Sequence, residues 1–346
     1  MKKSLISASI ASVLTLASFG ALADGPNFYG RLDLSVTNSD EGYTTQESKK
    51  GTILENNFSN LGVKGSEKIA EGFDVVYQME FQVENTSSKG DVFKARNTFL
   101  GLKTVAGTAL VGRNDTVFKQ SEGSIDQFGN SNADIDRLVG GQTRSADGVW
   151  YYSPKIADLV TINATYLMTD NNQANVDNAD DQYAISATLG DKKFKAQNYY
   201  VAAAYNKGIQ SGGESIDAYR GVAQVKLGDF KIGGLFQQTE LTSDSSVDGN
   251  TYFVNVAYNL NGVNLKAQYG KDEAGFGKYY KNAVGDQGRG TDINVQNITV
   301  GADYRVAKST LVYGHYAMYE GDHKVGAAKV DLADDNVFTV GVRYDF

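Results

Sequence analysis

The sequence predicts an all-β fold, a transmembrane antiparallel β-barrel of 16 strands, and three observations support this. Apolar and polar residues alternate with period two in segment after segment, short and long connections alternate between those segments, and neither of the two prolines lies inside a predicted strand. Proline would remove a hydrogen bond from the strand ladder, and lipid offers no hydrogen bond in exchange. The scarcity of proline therefore suits a closed barrel in a membrane.

The alternation is clear in FDVVYQMEFQVE, from Phe73 to Glu84. Phe, Val, Tyr and Met occupy the odd positions, and Asp, Gln and Glu occupy the even positions apart from Val76. The segment FYGRLDLSV at 28–36 repeats the pattern near the start of the chain. A period of two is that of a β-strand with one apolar face.

Sixteen segments of this kind are predicted along the chain, with boundaries uncertain by about two to four residues. They are 27–37, 54–66, 73–85, 93–104, 107–115, 147–153, 158–168, 181–189, 196–206, 216–227, 230–241, 250–260, 262–272, 292–305, 309–320 and 335–346. Short connections such as 228–229 alternate with long polar ones, of which 116–146 is the longest. Short periplasmic turns and long external loops are typical of an outer-membrane barrel.

The N-terminal segment predicts export. Lys2 and Lys3 precede a largely apolar run that closes on Ala21-Leu22-Ala23, a small-x-small pattern. We expect residues 1–23 to be a signal peptide and residues 24–346 to be the barrel domain.

Composition excludes several classes of function. Without Lys2 and Lys3 the chain has 31 of its 33 basic residues and 41 acidic ones, which gives a formal charge of −10. This charge argues against nucleic acid as a partner. Cysteine is absent, and His315 and His323 belong to no recognisable ligand set, so we expect no cofactor and no metal site. Neither a G-x-S-x-G elbow nor an H-E-x-x-H motif occurs, so we do not expect an enzyme.

A soluble β-sandwich also alternates apolar and polar residues, with its apolar face turned inward. Strands of about ten residues suit a tilted crossing of the hydrocarbon layer, and Tyr and Phe near strand ends suit interfacial girdles. We therefore favour the barrel. Barrels of 16 to 18 strands leave an aqueous channel, so the strand count itself predicts a pore.

The last predicted strand ends in FTVGVRYDF, in which aromatic and aliphatic residues alternate with small or polar ones. In a closed barrel this strand pairs with the first, so that no edge remains. We expect Phe346 to lie on the lipid-facing side, level with an aromatic girdle.

Several stretches together resemble a known family. They are FYGRLDLSV (28–36), SNLGVKGSEKIAEGFDVVYQMEF (59–81), TFLGLKTVAGTALVGRND (98–115), RSADGVWYYSP (144–154), VGADYRVAKSTLVYGHY (300–316) and the terminal VGVRYDF. In their order and spacing the chain resembles the general-diffusion porins of the Gram-negative outer membrane over essentially its whole mature length. The resemblance implies a trimer of 16-stranded barrels, each with its third external loop folded into the bore.

The resemblance also implies a constriction between that loop and the barrel wall. The loop segment SIDQFGNSNADID would bring Asp126, Asp134 and Asp136 to it, unless these are ordinary solvated loop charges. On the wall the candidates that resemble family positions, or share their face, are Arg31, Lys64, Glu80, Arg113 and Arg144. Asn60 stands where many relatives have Arg, so the basic row is thinner here, and Lys64 is expected to compensate in part.

These expectations predict an outer-membrane porin for passive diffusion of small hydrophilic solutes and ions, with a mild preference for cations. A substrate-selective channel and a surface adhesin or receptor remain as alternatives. The expected partners are two further copies of the chain, outer-membrane lipid and lipopolysaccharide, the solutes and ions, and the insertion machinery. The resemblance implies that this machinery reads Phe346 as an assembly signal.

Overall fold

The structure is a computed structural model that describes residues 25–87, 90–168 and 182–346. The predicted signal peptide, residues 1–23, lies outside the described residues. Nineteen strands are present in the described part of the chain. They are β1 Asn27–Ser39, β2 Gly51–Asn56, β3 Asn60–Ala70, β4 Phe73–Val83, β5 Phe93–Thr104, β6 Gly107–Asp115, β7 Arg144–Tyr152, β8 Val160–Leu167, β9 Gln182–Gly190, β10 Tyr199–Lys207, β11 Gln210–Ser211, β12 Glu214–Leu227, β13 Phe230–Leu241, β14 Asp244–Leu260, β15 Val263–Asp272, β16 Thr291–Arg305, β17 Thr310–Val325, β18 Ala328–Asp331 and β19 Asp335–Asp345.

In the described part of the chain, helical structure is confined to connections. Helix α1 spans Val117–Gln120 and helix α2 spans Lys278–Val284, with single 3₁₀ turns at Ile135–Arg137 and Gly285–Gln287. Within the described ranges no helix has the length and apolar character needed to cross a bilayer.

The strands form one closed antiparallel sheet, as predicted. Successive barrel strands pair antiparallel, and β19 pairs with β1, which closes the ring. Strands β2 and β3 are two halves of one barrel strand, because both pair with β1, whereas β11 and β18 are short hairpin additions. The barrel therefore has the predicted 16 strands. Three of the predicted ranges, 93–104, 107–115 and 230–241, coincide with the observed strands.

The interruption between β2 and β3 was not predicted. Phe58 has a φ of 59°, a left-handed conformation that cannot continue a ladder. Side-chain and main-chain bonds fix this kink: the Ser59 N–H donates to Asn56 Oδ1 (2.9 Å), and the Asn57 N–H donates to the Asp33 carbonyl (2.9 Å).

The apolar face of the strands is the outer face of the barrel, which confirms the expected orientation. In the first strand Phe28 is 69% exposed, and Leu32 and Val36 are also exposed, while Asp33 and Ser35 between them are buried. A predominantly apolar exterior of this kind suits lipid and not water.

Phe346 continues the pairing of the last strand with the first. Its N–H donates to the Gly30 carbonyl (3.0 Å), and its own carbonyl accepts from the Gly30 N–H (2.9 Å). The ring lies over Gly30, where a Cβ atom would come within 2.3 Å of it, and 59% of the Phe346 side chain is exposed on the outer face. Gly30 is needed there because a larger residue would displace the ring.

The long connection after β6 enters the barrel, as the family resemblance implied. This internal loop (116–143) buries its apolar side chains against the inner wall, including Phe118, Ile125, Ile135 and Leu138. Wall side chains bind its main chain along its length: Tyr200 Oη donates to the Ser121 carbonyl (3.0 Å), and Gln268 Nε2 donates to the Ala133 carbonyl (3.0 Å).

Asn132 is the most extensively bonded residue of the internal loop. Its fully buried Nδ2 group donates to Glu55 Oε2 (2.8 Å) and Thr339 Oγ1 (2.8 Å), its Oδ1 lies 2.6 Å from His315 Nε2, and its carbonyl accepts from Tyr319 Oη (3.1 Å). These partners come from three strands, β2, β17 and β19, so Asn132 fixes the loop to strands from both ends of the sequence.

A second connection, the mouth loop (273–290), carries α2 and lies over the internal loop. Its Lys278 Nζ donates to the Thr45 carbonyl (2.7 Å), and Lys281 forms an ion pair with Glu214 (2.7 Å). The mouth loop thus connects the first long connection with the start of β12 across the long-loop end of the barrel.

Candidate functional site

The internal loop leaves an open space between itself and the strands β5–β7. A pocket of about 270 Å³ occupies this space and is lined almost entirely by polar and charged groups. The charged residues that line it are Arg96, Asp115, Lys119, Glu122, Asp126, Asp134, Asp136 and Arg144.

Main-chain hydrogen bonds hold the loop carboxylates in place. Asp134 caps the 3₁₀ turn by accepting from the N–H of Asp136 (2.9 Å), and its second oxygen accepts from the N–H of Asn130 (2.7 Å). Asp126 accepts from the N–H of Phe128 (3.1 Å). Because these bonds are local to the loop, its negative charges are fixed in position relative to one another.

Burial and mutual repulsion raise the pKa values of several of these carboxyl groups. Burial raises the pKa of Glu122 to about 7 and that of Asp136 to about 6, although Lys119 and Arg137, respectively, act in the opposite direction. Burial, followed by the charges of Asp134 and Glu122, also raises the pKa of Asp126. The negative charge of the loop therefore changes within the range of ordinary pH.

Basic groups face this loop from the wall. Arg96 Nε lies 2.6 Å from Glu80 Oε1, whose other oxygen accepts from Tyr29 Oη (2.9 Å). Arg144 lies 3.1 Å from Asp115, which Lys119 approaches to 3.4 Å. The two arginines are thus oriented by carboxylates of the wall. Their remaining donors leave a positive side opposite the acidic loop.

The structure brings part of the predicted set together. Asp126, Asp134, Asp136 and Arg144 line the same pocket, and Glu80 lies behind its wall as the ion-pair partner of a lining arginine. The remaining three predicted residues do not line it.

Arg31 and Lys64 lie elsewhere on the inner wall. Arg31 Nε binds Asp345 (2.9 Å) beside the closing strand, and Lys64 Nζ lies 4.7 Å from the ring centroid of Tyr29. These contacts place both residues nearer the short-turn end of the barrel than the pocket is.

Arg113 is displaced for a different reason. In the ladder between β5 and β6 Arg113 pairs with Thr98. This pair is two residues along each strand from the outward-facing pair Leu100 and Val111, so it has the same parity. Its register is therefore that of the outer face, although we expected it on the polar face of its strand. The β6–β7 ladder is irregular at the same point, with a register shift between Gly112 and Asn114.

Sequence reasoning missed Arg96, Asp115, Lys119 and Glu122. For Arg96 the sequence held a signal, because the large apolar residues Phe93 and Leu100 of its strand have odd and even numbers and so would lie on opposite faces of a regular strand. In the structure both are on the outer face and 56% exposed. Such a change of parity within one strand requires a bulge, and the β4–β5 ladder has one between Met79 and Phe81. The bulge turns Arg96 into the lumen.

The arrangement can orient and select ions or dipoles, because fixed charges of opposite sign face each other across an opening. Among the described residues no group of three or more His, Cys, Asp or Glu side chains is placed to hold a metal ion.

Comparison with known proteins agrees with this architecture. A family model described as Gram-negative porin matches residues 8–324. Major outer membrane protein P.IB of Neisseria meningitidis serogroup A is 25% identical over 337 residues, which cover 90% of this chain and 91% of that protein. The fold is shared with the anion-selective porin from Comamonas acidovorans (TM-score 0.71, 17% identity, covering 93% of this chain and all of the other) and with the trimer form of OmpT from Vibrio cholerae (TM-score 0.66, 18% identity, covering 93% and 99%).

Proposed function

The chain belongs to the Gram-negative porin family of the cell outer membrane, and we propose that it forms a water-filled channel for passive diffusion of small hydrophilic solutes and ions. The observation that carries the proposal is the charge-lined pocket between the internal loop and the wall. A neck with polar walls admits solutes that exchange water for polar contacts and disfavours apolar ones. We propose a channel and not an enzyme, since nothing in the family or the fold indicates catalysis.

We also propose a mild preference for cations when the carboxylates are ionised. Five acidic side chains and three basic ones line the pocket, which leaves two negative charges in excess. The Comamonas porin, which is anion-selective, shares the fold, so the fold alone leaves the sign of the selectivity open. The sign depends on the side chains that line the neck.

The proposed partners follow from the outer surface and from the relatives. The apolar exterior supports contact with outer-membrane lipid, and exposed loop carboxylates would reach lipopolysaccharide through divalent cations. The trimer form described for OmpT supports a homotrimer here. Phe346, exposed at the end of the closing strand, is proposed as the assembly signal for the insertion machinery.

Single-channel recording of the refolded protein in planar bilayers tests the proposal. We expect stepwise ohmic conductance in KCl, with steps in groups of three if the channel is a trimer, and faster liposome swelling with small sugars than with large ones. Protein that is folded by circular dichroism and inserted in the bilayer, yet conducts no current, would overturn it.

A further inference from the structure

We propose that a second cavity in the lumen, on the short-turn side of the internal loop, is a binding subsite for a small zwitterionic solute of the α-amino-acid type. The inference rests on the proposed channel function, since the solute must reach the cavity through the bore. The cavity measures about 110 Å³ and lies between the loop segment 127–131 and the wall. Its wall residues come from β1, from β15 to β17, from β19 and from the kink at Asn57.

Two opposite charges in this cavity face each other without forming an ion pair. Asp33 and Arg343 are direct cross-strand partners of β1 and β19, on the lumenal face. Such pairs have Cβ atoms about 5 Å apart and normally form a contact. Here the Arg343 Nε group turns to Asp345 (3.0 Å), and Asp33 Oδ1 accepts from Tyr313 Oη (2.7 Å). No ion pair between Asp33 and Arg343 is present in the described structure.

The unused hydrogen-bonding groups match a zwitterion. Among the described residues the two terminal nitrogens of Arg343 have no partner, and they form the planar fork that binds a carboxylate in bidentate fashion. The Asp33 carboxylate interacts with Tyr313 Oη and with the Asn57 side chain, and its two oxygens have further lone pairs that would accept from an ammonium group. One ligand that carries both groups would bridge the separated pair.

A buried acceptor strengthens the assignment. Asn57 lines the cavity and is 1% exposed; its Nδ2 donates to Ser35 Oγ (2.9 Å) and Tyr313 Oη (2.8 Å), whereas its Oδ1 has no partner among the described residues. Buried side-chain oxygens are nearly always hydrogen-bonded, so an orphan acceptor at a cavity wall points to a donor that enters from the cavity. An ammonium group carries three such donors.

The other charged pair of the cavity is already satisfied. Lys266 binds Asp303 (2.9 Å) and also donates to the Gln127 carbonyl (2.7 Å). Lys266 and Asp303 therefore fix the internal loop to the wall, and the ligand would bind to Asp33 and Arg343. Phe128 and Leu311 add apolar lining, which suits a small aliphatic side chain.

The volume limits the ligand to a small one. A water molecule occupies about 30 Å³ of the liquid, so the cavity holds the equivalent of three or four waters. Glycine and alanine are of that size, and larger amino acids would have to extend into the bore.

Titration calorimetry of the detergent-solubilised protein with L-alanine tests the subsite. Lactate, which lacks the ammonium group, and isopropylamine, which lacks the carboxylate, are the matched ligands. We expect saturable binding of alanine and at least about tenfold weaker binding of the other two, because each loses a charge-assisted contact. Equal binding of all three would overturn the proposal.

Two variants and one control assign the binding to these residues. R343Q and D33N should each weaken alanine binding about tenfold. R305Q is the control, because Arg305 also approaches Asp345 (4.0 Å) but does not line the cavity. An R305Q loss equal to that of R343Q would overturn the subsite. KCl conductance is recorded for each preparation: normal conductance without alanine binding refutes the subsite alone, and absence of conductance from the folded parent protein refutes the channel.

Discussion

Acidification should reverse the ion selectivity of the channel. With every group ionised, five acidic and three basic side chains line the constriction pocket, an excess of two negative charges. Glu122 has a pKa of about 7, Asp136 one of about 6, and that of Asp126 is also raised. A carboxyl group with a raised pKa loses its charge as the pH falls through that value. Protonation of all three groups leaves two acidic against three basic side chains, an excess of one positive charge.

The size of the effect follows from Coulomb's law. For an ion that passes at about 8 Å, one unit charge contributes about 0.5 kcal/mol at the dielectric constant of water. The contribution has opposite sign for K⁺ and Cl⁻, so each proton bound shifts the permeability ratio by about fivefold before screening. At an ionic strength of about 0.1 M the Debye length is about 10 Å, so the measured shift will be smaller but still resolvable.

Reversal potentials in a KCl gradient, recorded between about pH 5 and pH 9, measure the ratio directly. We expect cation preference at the alkaline end and its loss or inversion at the acidic end. The E122Q variant should remove the part of the transition near pH 7 and leave the lower part in place. E320Q makes the same change at a carboxylate that lines a different pocket and serves as the control. A parent profile that is flat across this range, or an E122Q profile identical to it, would refute the reasoning.

Three further predictions concern the loop, the wall and the closing strand. N132L removes the hydrogen bonds of Asn132 to the wall, and each buried partner that it leaves unpaired, such as Glu55, costs about 1–3 kcal/mol of stability. The loosened loop should give larger and noisier single-channel currents, and quiet currents of parental size would count against this role. R96Q removes the positive partner of Glu80 and should increase the cation preference in reversal-potential measurements, so a shift towards anions would contradict the assignment. F346S should lower the fraction of chains that insert into the outer membrane, measured by protease protection, and leave the conductance of the inserted channels unchanged. Normal insertion of F346S would argue against an assembly signal at Phe346.

The strands could be predicted because their determinants are local. Lipid on one side and water on the other impose a period of two on every strand, and the outward exposure of Phe28, Leu32 and Val36 shows that pattern. The kink at Phe58 could not be predicted in this way. Its left-handed backbone depends on hydrogen bonds that involve Asp33 in another strand.

The candidate site was predictable for a contiguous segment of acidic residues and for Arg144, whose short motif resembles the family. Asp126, Asp134 and Asp136 occur together in the longest loop, and the structure places them together in one pocket. Arg96 was missed because a bulge reverses the parity of its strand, and Arg113 lies in register with the outer face. Long-range contacts such as those of Asn132 join strands that are distant in the sequence, and no local pattern indicates them.

The path of the internal loop has a consequence for the engineering of such a channel. On the strands that the loop covers, inward side chains such as Tyr200 and Gln268 are bonded to loop carbonyls and do not face passing ions. A charge introduced there would act first on the position of the loop and only indirectly on permeation. A charge introduced on β5 or β6, beside Arg96 or Asp115, would act on the current itself. A designer can therefore adjust the width of the opening from the strands that the loop covers and its charge from the strands that line the pocket.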